Sequence, residues 1–226
     1  IDLDSSNNPN VAFSVGGGSR PTQTMYAKAN VLLSWTVEVI ENESYDIGDD
    51  ITIQVGTDDV PQIVSHARLV DGEPQTYRHA VRNMTTGTWE ASTMTNDSGS
   101  GGNYMDFKLD SANQPHITFY HHSVLHQASW DDGGWYQSEV ITPSTSVQGG
   151  NSVGLYPSMV IDESDNAHVV HLRRDGGDSF SAYSVMYGFF GTQMPGRLSV
   201  DIDRDGVSND QDAFPNDSSE SNDTDV

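Results

Sequence analysis

From Asp201 the chain reads Asp201-Ile-Asp203-Arg-Asp205-Gly206-Val207-Ser-Asn209-Asp210-Gln-Asp212. Oxygen donors fall at the first, third, fifth, seventh, ninth and twelfth places of a twelve-residue stretch with glycine at the sixth, the spacing that wraps a calcium ion. Asp201, Asp203 and Asp205 offer carboxylates. Gly206 permits the tight turn that aims the Val207 carbonyl at the ion, Asn209 ligates directly or through water, and Asp212 closes the shell. The twelfth residue is Asp rather than Glu, no amphipathic helix precedes Asp201, and Phe214-Pro215 stops any helix soon after Asp212, so this is not an ordinary helix-loop-helix site. Without an ion these carboxylates repel one another, so folding and binding of the segment are expected to be one event. A solvated acidic tail without order is the competing reading.

A second group of reactive side chains lies farther upstream. Ser65-His66-Ala67-Arg68, Tyr120-His121-His122 and His171-Leu172-Arg173-Arg174 recur at similar places in the chain. The plain reading is that these are polar groups at strand ends. If they line one face, Tyr120 with His121 or His122 supplies a general base and acid, and Arg173 or Arg174 neutralises the carboxylate of a uronate. No His-Glu-x-x-His zinc spacing, Gly-x-Ser-x-Gly elbow or phosphate loop occurs.

The elements that must carry these residues show themselves as a repeat. Asn10, Gln62, His116 and His168 occupy one repeat position at offsets of 52, 54 and 52 residues, each in an apolar stretch that follows a turn rich in Asn and Asp. Downstream, Trp35, Trp89 and Trp135 each open an alternating run. Between them sit Tyr26-Ala27, His79-Ala80 and Gln127-Ala128. Each unit therefore reads as four short strands. A four-stranded unit at this period is the mark of a β-propeller blade. The pattern resembles bacterial propeller repeats of the Asn-x-Pro-His-Ile and Gly-Gly-x-Trp kind over about residues 1 to 190, with the fourth unit departing because no Trp follows Tyr183 to Phe190. The Trp, Tyr and Ile positions are expected to pack between blades.

The expected fold is all-β. Blades near 1–50, 51–104, 105–156 and 157–196 make one domain, and 197–226 is the calcium segment. The chain opens at Ile1 inside an inner-strand pattern, so the four units are expected to belong to a larger ring rather than close a small one. With Asp-Ala-Phe-Pro-Asn-Asp and Asp223-Thr-Asp225, the tail is similar to bacterial thrombospondin type 3 repeats. That resemblance implies a second ion among Asp210, Asp217, Asp223 and Asp225.

The net charge of −23 disfavours nucleic acid and anionic membrane surfaces. The tail from residue 199 carries −8 of it and the rest −15. No apolar run is long enough to span a bilayer, and the absence of Cys rules out a disulfide framework. Exposed calcium loops suit the calcium levels outside the cytosol, so a secreted or cell-surface location is expected. Three readings of function follow: a non-catalytic module binding an extracellular glycan or protein, a polysaccharide lyase or glycoside hydrolase with its site on the propeller face, or a structural spacer.

Overall fold

Four times the chain reverses through the same tight turn. Asn7, Asp59, Asn113 and Asp165 adopt the left-handed conformation, with φ of 60°, 60°, 59° and 60°. Asn and Asp tolerate this conformation better than other residues with a Cβ. Each donates its backbone N–H to the carbonyl three residues earlier, at 2.8 to 3.0 Å. This is a type I turn closed by a left-handed residue, the usual three-residue hairpin loop. At the head of the turn Asp4 Oδ1 accepts from the N–H groups of Ser6 and Asn8 at 3.0 and 2.8 Å, and Asp110 and Asp162 do the same in their own turns. A cation or ring nitrogen then meets the second oxygen: Lys28 at 2.9 Å from Asp4, His116 at 3.2 Å from Asp110, and His168 at 2.9 Å from Asp162. Burial alone raises the Asp4 pKa, but the hydrogen bonds from Lys28 and Asn8 and the Lys28 charge outweigh it and hold the carboxyl well below its usual range.

The computed structural model describes residues 1–16, 23–30, 34–42, 47–67, 76–95, 103–121, 124–131, 134–139, 152–175 and 182–190. The chain divides into two units, Ile1–Gly188 and Phe189–Val226. The first unit is all-β. β1 (Asp2–Leu3), β2 (Pro9–Val15), β3 (Gln23–Ala29) and β4 (Trp35–Asn42) form one antiparallel sheet in chain order. β5 (Ile47–Val55), β6 (Pro61–Ala67), β7 (Thr76–Arg82) and β8 (Trp89–Thr95) form the second. β9 (Asn103–Leu109), β10 (Pro115–His121), β11 (Val124–Asp131) and β12 (Gly134–Glu139) form the third. β13 (Ser152–Ile161), β14 (Ala167–Asp175) and β15 (Ala182–Phe190) form the fourth, which has three strands and no Trp-opened member among the described residues. Four small antiparallel meanders of this kind are consistent with propeller blades.

Alternation along each strand sends one set of side chains to the preceding sheet and the other to the following sheet. Between the first and second sheets Tyr26, Ile53 and Ile63 are buried with Ile40, Ile51 and Trp89 packed around them. Arg82 pairs with Glu38 across this joint at 2.9 Å, and Arg78 with Glu41. Between the second and third, Val64, Tyr77, Phe107, Ile117 and Phe119 form a second core, all 2% exposed or less. Each such side chain contributes roughly 1.5–3 kcal/mol by leaving water. Trp89 and Trp135 pack between sheets as expected, Trp89 edge-on to Tyr26 and Trp135 edge-on to His79. Trp35 differs: it is 49% exposed, because no neighbouring sheet covers its face among the described residues.

Candidate functional site

The inner strands of the second, third and fourth sheets each carry a bulge at the end remote from the turns. In β9, Asn103 faces Tyr120 and Met105 faces Phe119, so Tyr104 is the extra residue. In β13, Leu155 faces Leu172 and Ser158 faces Val170, which places a second irregularity at Tyr156. In β5 the shift falls between Ile47 and Ile51, around Asp50. Asp50, Tyr104 and Tyr156 thus stand at one repeat position, 54 and 52 residues apart. Bulges re-aim side chains, and they gather at functional edges.

Both tyrosines are held in an unusual backbone, with φ of 62° at Tyr104 and 51° at Tyr156. A bulky aromatic residue in this region costs about 1–3 kcal/mol and persists only where its surroundings enforce it. Asp50 Oδ2 accepts from the Tyr104 N–H at 2.7 Å, which anchors one of them. The two rings lie 4.0 Å apart at 42°, and the two hydroxyls share a hydrogen bond at 3.2 Å. Tyr120 joins them at 6.4 Å from Tyr104. The hydrogen bond that the two hydroxyls share, which ionisation of Tyr104 as its donor would break, then repulsion from an ionised Tyr156 and burial, push the Tyr104 phenol up, so it stays protonated at neutral pH. Tyr156 remains 57% exposed. The result is a tilted pair of aromatic faces rimmed by hydroxyls that donate and accept, a surface suited to a flat ligand with polar edges.

Among the residues singled out by sequence, Tyr120 belongs to this cluster. His121 ends β10, and His122 and Arg68 lie outside the described residues. Arg173 and Arg174 sit within β14, opposite Val153 and Ser152, at the same end of their sheet as Tyr156. His66 is 3% exposed and packs on Tyr77 at 5.2 Å, so it belongs to the core rather than to a polar strand end. His171 is 1% exposed; burial pushes its pKa down, against a bond to the Leu172 carbonyl. The calcium residues Asp201, Asp203, Asp205, Val207, Asn209 and Asp212, with Asp210, Asp217, Asp223 and Asp225, all lie outside the described residues. Sequence reading missed Tyr104 and Tyr156; their 52-residue spacing was the available signal.

At the turn end a cavity of about 510 Å³ opens between the second and third sheets, with Gln62, His79, Glu90, Gln114 and Trp130 on its walls. Its polar floor is already paired: His79 Nε2 with Gln62 Oε1 at 2.9 Å, Gln62 Nε2 with the Asn113 carbonyl at 3.0 Å, and Asn83 Nδ2 with Glu90 Oε1 at 2.9 Å. Of these, the Gln62–Asn113 bond crosses from the second sheet to the third, and the other two lie within the second sheet. Burial pushes His79 down to about 4, so it is neutral at physiological pH.

Fold and site together define an all-β protein of small meander sheets with an aromatic cluster at one end. Among solved structures it is similar to an endo-arabinase from Bacteroides thetaiotaomicron VPI-5482, at 8% identity and a TM-score of 0.46, over 79% of this chain and 70% of that one. No protein-family model and no curated protein matches the chain.

Proposed function

We propose that this protein is a secreted or cell-surface binding module, built of propeller blades and a calcium-stiffened acidic segment, that holds a glycan at the tyrosine cluster. The observation that carries the reading is the convergence of Tyr104, Tyr120 and Tyr156, two of them in a left-handed backbone, with Tyr156 open to solvent. Sugar rings offer apolar faces and hydroxyl edges, which a tilted phenol pair matches on both counts. Arg173 and Arg174 at the same end favour an anionic sugar within an otherwise acidic body.

The test is retention of the full chain on arrays of neutral and uronate-containing oligosaccharides, followed by titration of the best ligand with wild type and Tyr156→Ala. Loss of one stacking face, about 1 kcal/mol, weakens binding roughly fivefold. Equal affinity of the variant, or no retention of any glycan by the wild type, overturns the reading. Release of shorter sugars during the titration would instead support the hydrolase or lyase reading.

A further inference from the structure

The joint between the first and second sheets and the joint between the second and third follow one plan. In both, the residue after the head of one turn latches onto the left-handed residue of the next. The Ser5 N–H and hydroxyl donate to the Asp59 carboxylate at 2.7 and 2.6 Å, and those of Thr57 to Asn113 Oδ1 at 2.9 and 3.2 Å. In both, the Trp that opens the outer strand stands edge-on to a ring of the preceding sheet, Trp89 to Tyr26 at 5.0 Å and Trp135 to His79 at 5.3 Å. Strand register then fixes the counterparts. Tyr26 pairs with Glu38 and Lys28 with Thr36 in the first sheet, as His79 pairs with Ser92 and Val81 with Glu90 in the second. Arg82, two residues beyond Ala80, corresponds to Trp130, two beyond Ala128.

What fills the plan differs. In the first joint Glu38 accepts from the Arg82 guanidinium at 2.9 Å and from the Trp89 Nε1–H at 2.9 Å, so an ion pair takes up the space and satisfies the indole donor. In the second joint Ser92 stands for Glu38 and Trp130 for Arg82. The pair is gone, and the cavity of about 510 Å³ lies in its place, with Ser92 and Trp130 on its walls. That volume falls in the range of about 300–1,000 Å³ usual for small-molecule sites. Trp135 Nε1, the counterpart of the satisfied Trp89 donor, is buried and has no partner among the described residues. A buried N–H without an acceptor is costly, so an exception of this kind calls for something to fill it.

The walls define what can answer that donor. Trp130, edge-on to Trp135 at 5.6 Å, makes an apolar side with Val81 and Pro115. Glu90 and Gln114, which replace Thr36 and Val60 of the first joint, make a polar side. Asn83 Nδ2 occupies Glu90 Oε1 at 2.9 Å and leaves Oε2 to accept from a ligand. The floor is fixed, with His79 bonded to Gln62 and Gln62 to the Asn113 carbonyl. An ammonium group cannot accept from the indole, and a carboxylate or phosphate is repelled by Glu90. A hydroxyl accepts from the indole and donates to the carboxylate. We propose that this cavity is a second binding site, at the opposite end of the sheets from the tyrosine cluster, and that it takes one neutral sugar residue. One hydroxyl oxygen accepts from Trp135 Nε1, others donate to Glu90 Oε2 and meet the Gln114 amide, and the apolar face of the ring lies against Trp130.

The experiment is titration of the full chain with D-galactose, D-glucose, D-mannose, L-fucose and D-xylose, each up to roughly 50 mM, because one ring held by a few hydrogen bonds gives a Kd on the order of 1 mM. The four indole N–H resonances are followed by heteronuclear NMR, with that of Trp135 assigned from Trp135→Phe. At least one sugar is expected to shift the Trp135 resonance saturably. Ser92→Glu, which restores the acceptor that Glu38 supplies in the first joint, should abolish that shift, and Glu90→Gln should weaken binding about tenfold. Ser92→Gln replaces Ser92→Glu if the latter loses its strand circular dichroism. No saturable shift with any of the sugars overturns the proposal, and so does a Ser92 variant that binds as wild type does. Binding lost in Tyr156→Ala but kept in Ser92→Glu would place the sugar at the tyrosine cluster, overturning this site while supporting that one.

Discussion

Replacing His79 by Gln, the residue that Gln127 supplies at the same place in the third unit, should flatten the dependence of stability on acid. His79 is 7% exposed, lies edge-on to Trp135 at 5.3 Å, and meets the Gln62 carbonyl oxygen through Nε2. Burial lowers its pKa from 6.5 to about 4 in the folded protein. Above 6.5 neither state is protonated and the group contributes no pH dependence. As pH falls from 6.5 toward 4 the unfolded chain takes up a proton that the folded chain refuses, so stability is lost across that window. With these two values the loss between pH 8 and pH 5 comes to about 2 kcal/mol. Urea unfolding followed by tryptophan fluorescence at pH 8, 6.5 and 5 measures it. The variant should start lower at pH 8, by about 1 kcal/mol for the lost ring contact, yet lose about 2 kcal/mol less on going to pH 5. His171, whose pKa burial also lowers, adds the same slope to both proteins. Parallel pH curves for variant and wild type would refute the reasoning, because they would mean that His79 is hydrated and titrates normally in the folded state.

Gly154 has φ of 97°, and a Cβ there would sit 2.6 Å from Leu125 Cβ and 2.7 Å from its Cα. Gly154→Ala should therefore cost at least about 2 kcal/mol and lower Tm by roughly 4–8 °C by calorimetry; an unchanged Tm would mean that β13 and β11 part at no cost. For the tail, calorimetric titration with calcium should show binding by residues 1–226 and none by a version ending at Gly196. Binding kept by the shorter chain would move the ion to the sheets.

Local chemistry is what could be read from the sequence alone. The turn aspartates and the left-handed Asn and Asp work within five residues of one another, so Asp4 to Asn8 and its three counterparts announced both the turns and the repeat. Trp35, Trp89 and Trp135 marked the outer strands for the same reason: a strand shows itself by its own alternation. The proposed calcium loop is likewise a contiguous spacing, read from Asp201 to Asp212 without reference to any fold. Tertiary structure decided everything that depends on which sheet stands beside which. The Ser5–Asp59 latch joins residues 54 apart, and neither is unusual in its own neighbourhood. His66 reads as a polar strand-end residue until Tyr77 covers it, and Tyr104 and Tyr156 read as ordinary strand tyrosines until two bulges turn them toward each other. Trp35 shares its motif with Trp89 and Trp135, yet it stays exposed while they are packed, because burial depends on the neighbouring sheet rather than on the strand that carries the side chain.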